Sequence, residues 1–222
     1  MKNIFAAMFI SVLLIASSAN AGLINSGFEK PEGTSGYRIY DASLVPGWET
    51  DASDKKIEIW ETGFNGVTAY EGEQFAELNA NRVAALYQDI SGINANETIG
   101  WEFAHRGRAG TDTIQLSIID LGDDDTFDTV DDTTLFKQSF STKKAAWKFY
   151  SGRLSSLTLG NTIRFEWDSI TSAGGPSIGN FLDAAAVGTE AGFDEVPEPA
   201  TLFLFGAGLL ALAGQSIKRK KK

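Results

Sequence analysis

An all-β fold, an antiparallel β-sandwich, is what this sequence predicts between residues 22 and 190, and three observations predict it. Helical periodicity is nearly absent. Glycine, asparagine and aspartate punctuate the chain about every ten to fifteen residues, and these residue types favour turns over regular elements. Between them lie short segments rich in aromatic and β-branched residues that alternate with period two, the spacing of a strand with one buried face.

Taken in order, Leu23–Glu29 reads as an opening strand that ends on a carboxylate, Lys30–Gly36 as a turn-rich loop and Tyr37–Tyr40 as a short extended piece. Val45-Pro46-Gly47-Trp48 is a turn that delivers a large aromatic. Ile57–Trp60, Phe75–Asn79 and Leu86–Ile90 alternate strictly. Thr98–His105 and Thr111–Asp120 are two long strands joined through Gly107 and Gly110, and Thr134–Phe140, Trp147–Leu154, Thr162–Trp167 and Phe181–Val187 complete roughly nine to eleven strands. Asn79–Tyr87 alone is compatible with a helix and is too short to change the assignment. There is no internal repeat.

The two ends have a different character. Met1-Lys2, the apolar run Ile4–Ala16 and the small residues Ala19-Asn20-Ala21 form a signal peptide over residues 1–21. At the other end a linker, 191–196, leads into Pro197-Glu198-Pro199, the almost wholly apolar Thr201–Ile217 and five consecutive cations from Lys218. Two prolines make the tripeptide incompatible with a helix. The apolar run is about long enough to enter a bilayer as a transmembrane helix, and the cations hold its end in the cytoplasm. In this order, the three parts of 197–222 resemble the PEP-CTERM sorting signal of Gram-negative bacteria. That resemblance implies recognition of Pro197-Glu198-Pro199 by an exosortase-type membrane protease. It also implies transient residence in the inner membrane, then release to the cell surface or an exopolysaccharide matrix, with membrane anchoring if the tail is not processed.

The full chain carries 19 basic and 29 acidic residues. Six of the cations and one acidic residue, Glu198, lie in the two end segments, so 13 basic residues remain against 28 acidic ones, a balance of −15. So acidic a domain argues against nucleic acid and anionic membrane surfaces as partners and is compatible with divalent cations or neutral sugars. With no cysteine, disulfides are excluded, and a core of about 175 residues, or a bound metal, has to supply the stability.

The blocks IEIW at Ile57–Trp60, YEGEQFAELNA at Tyr70–Ala80, LYQDI at Leu86–Ile90 and WEFAHRGRAGTD at Trp101–Asp112, with Asn25, Gly27, Phe28 and Glu29 at the start and FLDAAAV at Phe181–Val187, resemble the galactose-binding-like jelly roll of exported bacterial proteins and carbohydrate-binding modules. The resemblance implies first and last strands that lie together, stapled by a structural calcium ion for which Glu29 and Asp183 are the candidate ligands. Related chains often carry a second acidic residue where this one has Ala184. Calcium takes six to eight oxygen ligands, so two carboxylates need carbonyls and water beside them. The alternative is a pair of ordinary strand-end charges.

A second acidic run follows Asp120. Asp123, Asp125, Asp128 and Asp131 have a spacing that could wrap a hard cation, but the run lacks the glycine and the terminal glutamate of an EF-hand loop. Equally, it reads as a solvated hairpin loop.

For ligand contact the candidates are Trp60, Glu77, Asn79, His105, Arg106 and Arg108, a mixture of aromatic and planar polar groups of the kind sugar grooves use, with the arginines suited to uronic acids. On a strand Trp101, Phe103 and His105 share one face, so His105, the only histidine, is also readable as a core residue, and the arginines as partners of Glu77, Glu102 or Asp112. Catalytic signatures are lacking: no nucleophile elbow, zinc-protease motif or phosphate loop occurs. Glu77 with Glu102 is the carboxylate pair to test for glycoside hydrolysis. The expectation is an exported, non-enzymatic module that associates with extracellular polysaccharide. The rivals are a purely structural matrix protein and, third, a glycoside hydrolase.

Overall fold

A computed structural model describes residues 22–93, 97–155 and 162–189. The expected signal peptide, the linker and the sorting segment lie outside these residues. Eleven strands are described: β1 (Tyr37–Asp41), β2 (Glu49–Thr50), β3 (Lys56–Glu61), β4 (Gln74–Glu77), β5 (Ala85–Ser91), β6 (Ile99–Arg106), β7 (Thr111–Asp120), β8 (Thr133–Lys143), β9 (Lys148–Leu154), β10 (Thr162–Thr171) and β11 (Phe181–Thr189). The only helical pieces among the described residues are single 3₁₀ turns at Ala42–Leu44 and Phe64–Gly66, and no helix among them is long and apolar enough to cross a membrane. The run expected to be at most weakly helical, 79–87, is a bend that enters β5.

The strands form a six-stranded sheet in the order β1-β3-β4-β11-β6-β9 and a five-stranded sheet in the order β2-β5-β10-β7-β8, and the pairings are antiparallel. Period-two alternation decides which side chains meet between the sheets. Ile57, Ile59, Leu78 and Phe103 of the first sheet pack against Leu86, Ile114, Leu116, Ile118, Phe165 and Trp167 of the second, all fully or almost fully buried. A cysteine-free domain depends on this layer, since each such side chain contributes about 1.5–3 kcal/mol on burial.

The opening run departs from expectation. Residues 24–27 turn rather than extend, with Asn25 and Phe28 at φ 55° and 58°. Asn25 fixes the turn with its amide, which donates to and accepts from the backbone of Lys30 (both 2.9 Å). Phe28 is thereby pressed onto Trp48, their rings stacked at 4.6 Å. The run still reaches the last strand, where the Ala185 amide donates to the Ser26 carbonyl (3.2 Å).

The outer face of the six-stranded sheet carries a second apolar layer. Trp60, Phe75 and Phe181 stand on it with Val67, and Phe64, Ala69 and Trp147 pack around them. Trp60, Phe75 and Phe181 touch edge to face or tilted at 4.9–6.0 Å, contacts worth about 0.5–1.5 kcal/mol each beyond their area. Residues 62–73 fold over this layer, with Thr62 and Gly63 held by the Glu73 and Val67 carbonyls.

Candidate functional site

Register brings a row of polar groups together at the edge of that layer. Glu58 on β3 stands opposite Ile39 on β1 and opposite Glu77 on β4, while Trp60 stands opposite Tyr37. A groove of about 330 Å³ opens above the row, lined by Tyr37, Glu58, Phe64, Asn65, Asn81 and Arg108 among others. Tyr37 is half exposed, whereas Glu58 is 3% exposed. The Tyr37, Phe64 and Trp60 rings contact one another at 5.0–5.9 Å and make one wall aromatic.

The floor is an ion cluster. Arg108, from the β6–β7 turn, donates through Nη1 to both oxygens of Glu77 (2.8 and 2.7 Å) and lies over the Trp60 ring at 4.7 Å. The Gly179 amide also donates to Glu77 (2.6 Å), and Trp60 Nε1 donates to Glu58 (2.7 Å). Two adjacent buried carboxyls therefore face one guanidinium, which is bonded to Glu77. Burial, with Glu58 beside it, pushes the Glu77 carboxyl up to about 8 in spite of Arg108. Glu58 is also raised, by burial first, against the pull of Trp60 and Arg108. Like charges this close and this dry do not both ionise readily, so near neutral pH the pair holds a proton between them.

Of the six residues singled out from the sequence, Trp60, Glu77 and Arg108 come together here. His105 faces inward and is fully buried, hydrogen-bonded to Thr142 Oγ1 and Asn180 Oδ1 (both 2.9 Å). Burial lowers its pKa to about 4, so it is neutral. Asn79 is likewise fully buried, its amide donating to the Pro176 carbonyl (3.2 Å). Arg106 stands beyond Phe181 and donates to the Lys144 carbonyl (2.9 Å). Glu58 and Tyr37 were missed. The alternation of Ile57–Trp60 puts Glu58 and Trp60 on one face, but the β3–β4 and β1–β3 registers that complete the groove leave no local mark. Glu77 and Glu102 do not form a catalytic pair. Glu102 lies four residues before Arg106, and Arg106 pairs with Phe181, which pairs with Glu77. That offset separates them by about 16 Å, against about 5–10 Å in two-carboxylate glycoside hydrolysis.

Two residues along β11 from Phe181, Asp183 has Glu29 near it. The Gly27 backbone lies against both, a Cβ built there being 3.9 Å from Glu29 Cγ and 4.0 Å from Asp183 Oδ1. Asp183 Oδ2 accepts from the Tyr70 and Glu71 amides (2.7 and 3.0 Å), and Glu29 Oε1 accepts from those of Glu73 and Gln74 (2.9 and 3.1 Å). Gly72, at φ +61°, lies so close to the Glu29 carboxylate that a side chain there would displace it. Asp183 is fully buried, and burial, with Glu29 adding to it, drives its pKa up to about 7. Such a pair of hard oxygen donors suits a hard cation, with the remaining ligands left to carbonyls and water. Among the described residues no three or more acidic or histidine groups converge on a possible metal.

That holds for Asp123, Asp125, Asp128 and Asp131 too. Asp131 and Asp132 instead accept backbone amides of their own loop, from Asp123 (2.8 Å) and from Asp128 and Thr129 (2.7 and 3.2 Å). The loop folds back over the five-stranded sheet and lays Phe127 on the Arg164 guanidinium at 4.1 Å.

Residues 195–220 match the PEP-CTERM protein-sorting motif, so the chain carries that signal. No curated protein matches the chain. Among solved structures it is similar to the Stig cyclase Fisc from Fischerella sp. TAU, in complex with (3Z)-3-(1-methyl-2-pyrrolidinylidene)-3H-indole. The TM-score is 0.56 at 18% identity, over 77% of this chain and 97% of that one. A cyclase from the same organism with 4-(1H-indol-3-yl)butan-2-one gives 0.55 at 18%, over 78% and 98%. Carbohydrate-binding modules are also among its structural neighbours, for instance the CBM22-1 xylan-binding domain of Paenibacillus barcinonensis Xyn10C, at 0.47 and 15% over 78% and 97%. At these identities the likeness extends to the fold alone.

Proposed function

We propose that the chain is an exported, non-enzymatic surface or matrix protein whose sandwich associates with extracellular polysaccharide through the Tyr37–Glu58–Arg108 groove. Its tail is the substrate of an exosortase-type protease in the inner membrane. The observation that carries this reading is the groove itself: an exposed ring, a guanidinium and planar amides above a buried polar floor, on a chain with a sorting motif. Sugars bind such surfaces by stacking an apolar face on a ring and placing hydroxyls against planar polar groups. Binding to the host's own exopolysaccharide is expected, weakened on the order of tenfold by Tyr37→Ala. No binding to any glycan, with calcium supplied, leaves the purely structural matrix protein, a reading that the sealed His105–Asn180 network favours.

Calcium held by Glu29 and Asp183 belongs to the same proposal. It would tie residues 26–29 and 70–74 to β11. In the absence of a cation, Asp183 has a folded-state pKa above its unfolded value. Its contribution to stability is therefore present below about 3.8 and lost as pH rises through about 7. Calcium reverses that trend, so chelation at pH 7.5 should lower Tm by several degrees, and Asp183→Asn should remove the response. Coincident melting curves with and without chelator would contradict it. Intact mass of protein recovered from culture medium tests the tail: a new C-terminus near residues 197–201 is expected, and full-length chain confined to membranes would overturn processing.

A further inference from the structure

The groove floor holds more carboxyl than cation. Glu58 lines the groove at 3% exposure and makes no ion pair among the described residues; Trp60 Nε1 donates a hydrogen bond to it (2.7 Å). Glu77, fully buried, takes up the Nη1 end of Arg108. These are the charged groups that face Glu58, from β4 and from the β6–β7 turn, and the Tyr37 phenol is the remaining titratable group of the lining. Arg108 is bonded to Glu77 and seated on Trp60, so a uronate carboxylate entering the groove finds that cation already paired and Glu58 beside it. An ammonium entering it meets a carboxyl that has no cation of its own, beside the half-exposed Tyr37 ring on which a pyranose can stack.

We infer that this groove selects an amino sugar with a free ammonium group, which forms its ion pair with Glu58 while the sugar ring rests on Tyr37. The inference rests on the groove being the sugar site. It narrows the ligand class from polysaccharide in general to cationic, de-acetylated glycans and turns away from the uronic acids that the arginines alone suggest. The pairing has a proton balance. The shared Glu58–Glu77 proton leaves to solvent as the ammonium arrives, and both carboxylates are then ionised, one against Arg108 and one against the ligand.

The test is titration calorimetry of the full chain at pH 6 in 0.15 M salt, which screens diffuse attraction to the acidic surface. The probes are tetramers of glucosamine, N-acetylglucosamine, glucose and galacturonic acid, each run in two buffers of different ionisation heat. Glucosamine tetramer is expected to bind at least about tenfold more tightly than its N-acetylated form, the scale of one charge-assisted contact, with net proton release. Glu58→Gln, which keeps an oxygen for Trp60 Nε1, should bring the two affinities together and abolish the release. Equal affinities for both forms, or tightest binding of the galacturonate, overturn the inference and leave the sugar groove standing. Failure of all four to bind, or binding that Tyr37→Ala leaves unchanged, overturns the groove reading and the inference with it.

Discussion

Each sheet presents an arginine on its outer face, set against aromatic rings and a carboxylate, and the two are built to different ends. Arg164 on β10 is clamped on both sides, with Tyr87 at 3.8 Å and Phe127 at 4.1 Å. It meets Asp89 through two parallel bonds of 2.8 Å, and its side chain is 9% exposed. Arg108 has one ring, Trp60, beneath it. It is 27% exposed, and the carboxylate it holds, Glu77, has no contact with water. In the first case the guanidinium is buried and its carboxylate is partly wet. In the second the carboxylate is buried and the guanidinium looks outward. The lesson is that the more exposed arginine is the more critical one, because the charge that cannot be hydrated is its partner's.

The largest expected effect follows from that asymmetry. Arg108→Met leaves the Glu77 charge buried without its cation and should cost about 3–5 kcal/mol in urea unfolding. Glu77→Gln added to it should restore a good part. Arg164→Met leaves Asp89, 35% exposed, for water to solvate and should cost about 1–2 kcal/mol, chiefly lost packing and cation–π contact. Equal costs at the two sites would break the comparison. A middle effect lies in pH. The folded-state pKa of Glu77 is raised, so its contribution is fully present below about 4.5 and lost as pH rises through about 8; Glu77→Gln should flatten the alkaline limb of the stability curve. His105 acts with the opposite sign. Its folded pKa is depressed, so its contribution is present above about 6.5 and lost as pH falls through about 4, a limb the Glu77 variant should leave in place. The smallest effect is at the clamp's outer plate. Phe127→Ser should cost about 0.5–1 kcal/mol, measured by the same unfolding series, and a larger loss would mean that the acidic loop contributes more than a cover.

Period-two alternation made the strands legible, because a half-buried strand writes its two faces into the local sequence. The face shared by Trp101, Phe103 and His105 was legible as well, and it points inward, with the histidine sealed by Thr142 and Asn180. The opening run was not. Its turn depends on Phe28 at positive φ, a conformation its residue type does not announce, stabilised by stacking on Trp48 twenty residues away. The groove was half legible for the same reason. Glu77 and Arg108 stand out by composition, but Glu58 matters only because the β3–β4 register sets it opposite Glu77. The acidic run was ambiguous from its spacing, and the loop's own amides absorb part of its charge.

β11 is the strand from which the chain continues toward the sorting motif at 195–220. It lies between β4 and β6, and Asp183 and Ala185 fasten it to residues 70–71 and 26. A pull on the tail, as when a membrane-held segment resists a moving polymer, would arrive at a strand paired with β6 along most of its length and with β4 at Phe181 and Leu182. Along that strand the ladder hydrogen bonds bear load together in shear instead of parting one at a time, as they would in an edge strand peeled from its sheet. A domain held by its tail would thus be held through a strand inside the sheet, not one at its edge.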